Sequence, residues 1–161
     1  MKTFYALGFL LFFLSCNSTP KDDPMNLRLE SPLSGDEVID EFMSLVNDYR
    51  QQKGLRGLLL DSSINEIALE HSENMAQAEV SFGHAGFSLR CSQARQALGG
   101  GNLCLENVAR GQRTAQEVFN AWINSTGHRE NIESARATHM GLGYSRDNKN
   151  VYYWTQLFLE R

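Results

Sequence analysis

The chain lacks what a nucleic-acid binder, a membrane-spanning protein or a disulfide-dense miniprotein would need. Of its 161 residues, 15 are Lys or Arg against 19 Asp or Glu, a formal net charge of −4. A dispersed acidic balance supplies no basic footprint for nucleic acid. It also excludes a polybasic membrane-surface binder, though not a lipid-anchored protein. The longest apolar run, Phe4 to Leu14, has 11 residues, about half of what a spanning helix needs. There are three cysteines, Cys16, Cys91 and Cys104, and the C-x2-C spacing of zinc ribbons is absent. All three prolines fall within the first 32 residues. No serine sits in a G-x-S-x-G elbow, so covalent hydrolysis has no evident nucleophile. What is present is a core: nine Phe, five Tyr and two Trp in a chain that is 42% hydrophobic. That composition fits one folded domain and not a disordered chain.

The N-terminus reads as a targeting segment. Lys2 precedes the apolar run, and Ser15 and Cys16 follow it. A charged start, a short apolar stretch and a small residue before the break form a signal peptide. With Cys16 directly after, residues 1–15 resemble a bacterial lipoprotein signal, in which the Cys thiol is acylated and becomes the mature N-terminus. Ordinary secretion is the alternative; a buried N-terminal helix fits poorly, because Asn17-Ser18-Thr19-Pro20 ends the run at once. Losing the signal removes Lys2 and takes the net charge to −5. Residues 16–32 are polar and hold every proline, the composition of a tether without a core. The folded domain is then 33–161.

If Cys16 carries lipid, Cys91 and Cys104 remain as an even pair. Gly99-Gly100-Gly101 between them lets the loop close. The pair is either a disulfide, worth roughly 3 kcal/mol on the loop-entropy model, or two buried thiols. Export favours the disulfide.

Ser34 with Glu37 reads as a capping box opening a helix over Asp36 to Lys53, with Gly54 as its stop. Leu58-Leu59-Leu60 is a short buried strand or extended link. Ile64, Ile67, Ala68, His71, Met75 and Ala78 mark one face of a second helix, Ser63 to Ala78. Glu79 to Gly101 reads as irregular, and Leu103 to Ala109 as extended or a short helix. Thr114 with Glu117 is a second capping box, opening a helix with Val118, Phe119, Trp122 and Ile123 on its apolar face. His128 to Ser134 adds one more turn. His139 to Ser145 and Val151 to Leu159 form two strands joined at Asp147-Asn148-Lys149-Asn150. The second is apolar at nearly every residue, so both its faces must be covered. That predicts an α+β fold: a three-layer α-β-α sandwich with a small antiparallel sheet.

Four histidines trace the candidate chemistry. His71 lies in the apolar stripe of the second helix and His139 starts a strand; both read as structural. His84 lies between glycines in an open loop, Phe82-Gly83-His84-Ala85-Gly86, and His128 follows Ser125-Thr126-Gly127 at a helix junction. Glu106 stands alone among Leu103, Leu105, Val108 and Ala109, where an acid is costly unless paired or hydrogen-bonded. Two loop histidines and one costly glutamate suggest a shared polar site.

From Phe42 to Phe158 these residues resemble the CAP superfamily, the SCP-like group of cysteine-rich secretory proteins, antigen 5 and pathogenesis-related 1. The resemblance is carried in order by Val46-Asn47-Asp48-Tyr49-Arg50, Ala68, His71-Ser72, Met75-Ala76 and Phe82-Gly83-His84. It continues through Glu106-Asn107-Val108-Ala109, Trp122-Ile123-Asn124-Ser125, Gly127-His128-Arg129 and Asn131-Ile132. Gly141, Gly143, Tyr153-Trp154-Thr155-Gln156 and Phe158 close it. It implies the same α-β-α sandwich, and a cavity lined in many members by two His and two Glu that in some holds a divalent metal. By position, His84, Glu106 and His128 match three of the four. The second Glu falls where this chain has Ser125, and the Gly before the Glu-Asn pair is Leu105. Glu117 is the nearest substitute, and its place in the capping box explains it without a cavity.

Two imidazoles and a carboxylate can hold Zn²⁺ or another divalent cation with an open position. Hydrolysis would then need a metal-bound water and a general base, for which only Glu117 is available. The plainer alternative is that His84, Glu106 and His128 form a hydrogen-bond network holding loops together. The sequence therefore predicts an exported cell-envelope lipoprotein, periplasm-facing or at the cell surface, anchored through Cys16. Its domain is read as a non-enzymatic binding module for a lipid, protein or envelope ligand, with no required cofactor. The alternative is a metal-dependent hydrolase acting on peptide or cell-wall material.

Overall fold

A computed structural model describes residues 36–161. The expected signal, Cys16, the tether and Ser34 lie outside the described residues. Five helices and four strands follow in the order α1 (Glu37–Gln52), β1 (Leu59–Leu60), α2 (Ser62–Ala76), α3 (Phe87–Leu98), β2 (Cys104–Arg110), α4 (Ala115–Ile123), α5 (Thr126–Ile132), β3 (His139–Arg146) and β4 (Tyr152–Leu159). The strands form one sheet in the order β1-β3-β4-β2. β4 pairs antiparallel with both β2 and β3, whereas β1 lies parallel to β3. The sheet is therefore mixed, not purely antiparallel. A parallel partner needs a long crossover, and here the chain runs through α2, α3, β2, α4 and α5 before β3 meets β1.

β4 is buried from Tyr153 to Leu159, as its uninterrupted apolar sequence requires. Alternate residues serve opposite layers. Trp154 and Phe158 join Phe42, Val46, Trp122, Met140 and Leu142 on the α1/α4 side. Leu157 and Leu159 join Ile64, Ala68, Ala94 and Leu98 on the α2/α3 side. On that side the backbone of α2 rests directly on β3. A Cβ added at Gly143 would overlap the backbone of Ala68 and Leu69, and one at Gly141 would overlap Ile64.

Local chemistry sets the helix ends. The N-cap of α1 is Asp36, whose Oδ1 accepts from the N–H groups of Val38 and Ile39 at 3.0 and 3.2 Å. This corrects the expected Ser34–Glu37 box. With Asp36 as cap, Glu37 is the first helical residue, an acid in the first turn that complements the helix dipole. Asp61 caps α2 in the same way. Thr114 caps α4 as expected: its hydroxyl accepts from the Glu117 N–H at 3.1 Å. The region 79–101, expected to be irregular, contains α3. Its bounding glycines, Gly86 (φ 76°) and Gly99 (φ 82°), are left-handed ends and not marks of disorder.

Two polar side chains of α1 pin the layers. Asn47 donates to the Leu58 carbonyl at 3.0 Å and accepts from the Leu58 N–H at 2.7 Å, holding the entry to β1. Arg50 is fully buried. It donates from Nε to the Arg56 carbonyl at 2.8 Å and from Nη1 to the carbonyls of Ile132 and Ser134 at 2.6 and 3.0 Å, tying α1 to the end of α5.

Candidate functional site

The site is built around β2, an edge strand of the sheet. Glu106 lies in β2 opposite Leu157, and its side chain is 1% exposed. An acid so buried needs partners, and it has three N–H donors. Arg90, from α3, donates Nε to Oε2 at 2.7 Å and Nη2 to Oε1 at 2.9 Å. The third is His84 Nδ1, 2.8 Å from Oε1. A carboxylate can only accept, so Nδ1 carries the proton and Nε2 is the nitrogen left for other partners. The His84 side chain is 53% exposed, against 10% for Arg90. The arrangement is a buried ion pair with one imidazole reaching from it to solvent.

The loop that carries His84 is held from two sides. Arg90 Nη1 donates to the Ala85 carbonyl at 2.6 Å. His71 Nε2 bonds the Gly83 carbonyl at 2.9 Å. His71 is 3% exposed. Burial pushes its pKa down, with the Gly83 bond opposing. It is the structural histidine the helix pattern suggested, and its role is to position its neighbour's loop. His139 likewise bonds the adjacent Thr138 hydroxyl at 2.9 Å.

The expected disulfide is present. Cys91, next to Arg90, is bonded to Cys104, two residues before Glu106, with the Cα atoms 5.8 Å apart. It fastens α3 to the start of β2.

α5 closes the other side of the edge strand. Asn131 Nδ2 donates to the Glu106 carbonyl at 3.1 Å and to Asn107 Oδ1 at 2.8 Å. Asn107 Nδ2 donates to the His128 carbonyl at 3.1 Å and to Gln156 Oε1 at 3.2 Å. His128 packs with its ring centroid 6.4 Å from that of Trp122. Burial lowers its pKa, and the neighbouring His84 lowers it further. The structure thus joins His84 directly to Glu106 and sets His128 near enough to sense His84 electrostatically.

The donor set does not fit a divalent metal. Both oxygens of Glu106 are occupied by the Arg90 fork, which already neutralises the carboxylate that a metal would need. Glu117 is elsewhere engaged: its Oε2 accepts from the Arg113 N–H at 2.7 Å, completing the α4 cap. Ser125 is the residue preceding α5 and supplies no carboxylate. Among the described residues, no three of His, Cys, Asp and Glu converge as a ligand group. Arg90 is the residue that sequence reasoning misses, and the signal that could have found it is the cost of Glu106 itself, which demands a cation.

Sandwich, edge-strand cluster and motif order together point to one family of domains. The chain belongs to the CAP family, described as the cysteine-rich secretory protein family, whose model matches residues 43–158. The uncharacterized protein YkwD of Bacillus subtilis is 32% identical over 140 residues, covering 83% of this chain and 51% of the relative. The chain therefore spans about half the length of that curated relative. Among solved structures, an outer surface protein of Borrelia burgdorferi superposes with a TM-score of 0.68 at 22% identity, over 80% of this chain and 96% of the other. An extracellular SCP-domain protein of Bacillus anthracis superposes with a TM-score of 0.63 at 25% identity, over 81% and 45% of the two chains.

Proposed function

We propose that this is an exported, lipid-anchored CAP domain that serves the cell envelope as a non-enzymatic binding module for a lipid, protein or envelope ligand. The observation that carries the reading is the buried Arg90–Glu106 pair. Hydrolysis through a metal would need Glu106 as a ligand and a second carboxylate as base; the first is held by Arg90 and Glu117 is held by its helix cap. The polar cluster is instead satisfied within itself, as a network that shapes loops must be. The signal-like N-terminus with Cys16 supports export, as does the extracellular setting of the Bacillus anthracis relative. No helix among the described residues is long and apolar enough to cross a membrane.

The test compares the purified full chain with a His84→Ala/His128→Ala variant, assaying hydrolysis of peptide and peptidoglycan with and without Zn²⁺. Neither chain should hydrolyse either substrate, and the variant should melt at lower temperature. Hydrolysis by the wild type that disappears in the variant, with circular dichroism unchanged, would overturn the binding-module reading.

A further inference from the structure

At the far end of β2 and β4 from the Cys104–Leu159 pairing, a cleft of about 520 Å³ opens between the end of α2 and the β3–β4 turn. Three cations line it: Arg110 at the end of β2, Arg146 at the end of β3, and Lys149 in the turn. None of them makes an ion pair among the described residues. The Arg110 guanidinium lies 5.1 Å from the ring centroid of Tyr153, which is itself buried, so this cation is held over a fixed aromatic floor. One acid shares the cleft. Asp147 Oδ1 accepts from the Lys149 and Val151 N–H groups at 2.8 and 2.9 Å and is committed to the turn. The C-terminus of α2 adds partial negative charge. The local excess is therefore two positive charges at most, in a chain whose net charge is −4.

The same end of the sheet receives the chain from its N-terminal segment. Tyr144, two residues before Arg146, donates its hydroxyl to the Asp36 carboxylate at 3.1 Å. Asp36, the first described residue, therefore lies at the end of the sheet where these cations gather. Resting on that anchored reading, we infer that this cleft binds the phosphate headgroup of an anionic phospholipid. Three cations fall short of the four to eight of a free-standing polybasic segment. The cleft thus binds an anionic surface weakly on its own, measurable at low salt, and orients a domain already anchored there. The Tyr153 ring and the side chain of Val151 give the headgroup an apolar wall beside the cations.

The test uses the full chain carrying Cys16→Ser, so that acylation plays no part. Flotation is measured with vesicles of phosphatidylglycerol and of phosphatidylcholine, with and without Arg110→Gln/Arg146→Gln/Lys149→Gln. Phosphatidylglycerol should be preferred at low salt, and the triple variant should lose about a hundredfold of that binding, since each of the three surface cations contributes about fivefold. High salt should erase the difference. Equal binding to both vesicles, or a preference unchanged in the triple variant, would sink the inference. Saturable binding of glycerol 3-phosphate without a vesicle preference would assign the cleft to a soluble phosphate ester and also overturn it. Anchoring is read separately: an unacylated Cys16 in the intact mass of the wild type removes the anchor and leaves the vesicle result standing.

Discussion

The Arg90 guanidinium meets the Glu106 carboxylate fork to fork, with contacts of 2.7 and 2.9 Å. A planar bidentate pair of this kind is directional as well as strong. It places α3 and β2 in one register and leaves His84 as the group that faces outward. Buried pairs add little net stability over apolar replacements, but breaking one leaves an uncompensated charge.

Arg90→Met should therefore be costly, by about 3–5 kcal/mol, while Arg90→Met/Glu106→Leu should recover most of that loss. Urea denaturation of the single and double variants measures both. Equal losses in the two would show that packing, not charge, dominates at this position. The same Arg90→Met variant, where folded, should gain Zn²⁺ affinity over the wild type in calorimetry, because Glu106 is then free to ligate.

Stability should fall as pH drops below about 6.5, the ordinary histidine range. His71 and His128 have pKa values lowered in the folded state, each chiefly by burial. The unfolded chain then binds more protons than the folded one between the folded and unfolded values. The stability of keeping both rings neutral is complete above the unfolded value. It is lost as pH falls from there through the folded ones. Melting temperature followed from neutral to mildly acidic pH should show this slope, and His71→Gln should flatten it. A slope unchanged in that variant would place the titration elsewhere.

Gly143→Ala should destabilise by about 1–3 kcal/mol, the range for overpacking a filled core. The added methyl meets the backbone of Ala68 and Leu69, which cannot turn aside as a flexible side chain would. Thermal melts with near-ultraviolet circular dichroism would register the shift of α2. A variant as stable as wild type would mean that α2 can lift from the sheet at no cost.

The parts of the fold that could be read in the sequence are those whose pattern is regular. The stripes of α1, α2 and α4, the Thr114 cap and the apolar run of β4 all appear where periodicity puts them, to within a residue or two at the ends. α3 escapes because its buried face is Arg90, Cys91, Ala94 and Leu98. An arginine in that face counts as a surface residue in any apolar pattern, and the flanking glycines look like loop. The same misreading hides half of the site. Glu106 can be flagged as a charge in need of a partner, and His84 as one candidate. The principal partner lies in the stretch whose pattern looks structureless. The parallel pairing of β1 is likewise invisible, since two residues, Leu59 and Leu60, carry no register signal of their own.

The disulfide has a consequence of timing. Arg90 and Glu106 flank the disulfide in sequence, one directly before Cys91 and the other two residues after Cys104. Once the sulfurs are joined, the opposite charges stay within reach of each other even when the surrounding structure opens, so each reclosure finds its match without a search. In a chain whose sulfurs stay reduced, every opening frees an arginine and a glutamate to seek water or other partners. Oxidation thus acts as a memory of the correct pairing, kept for as long as the sulfurs stay joined.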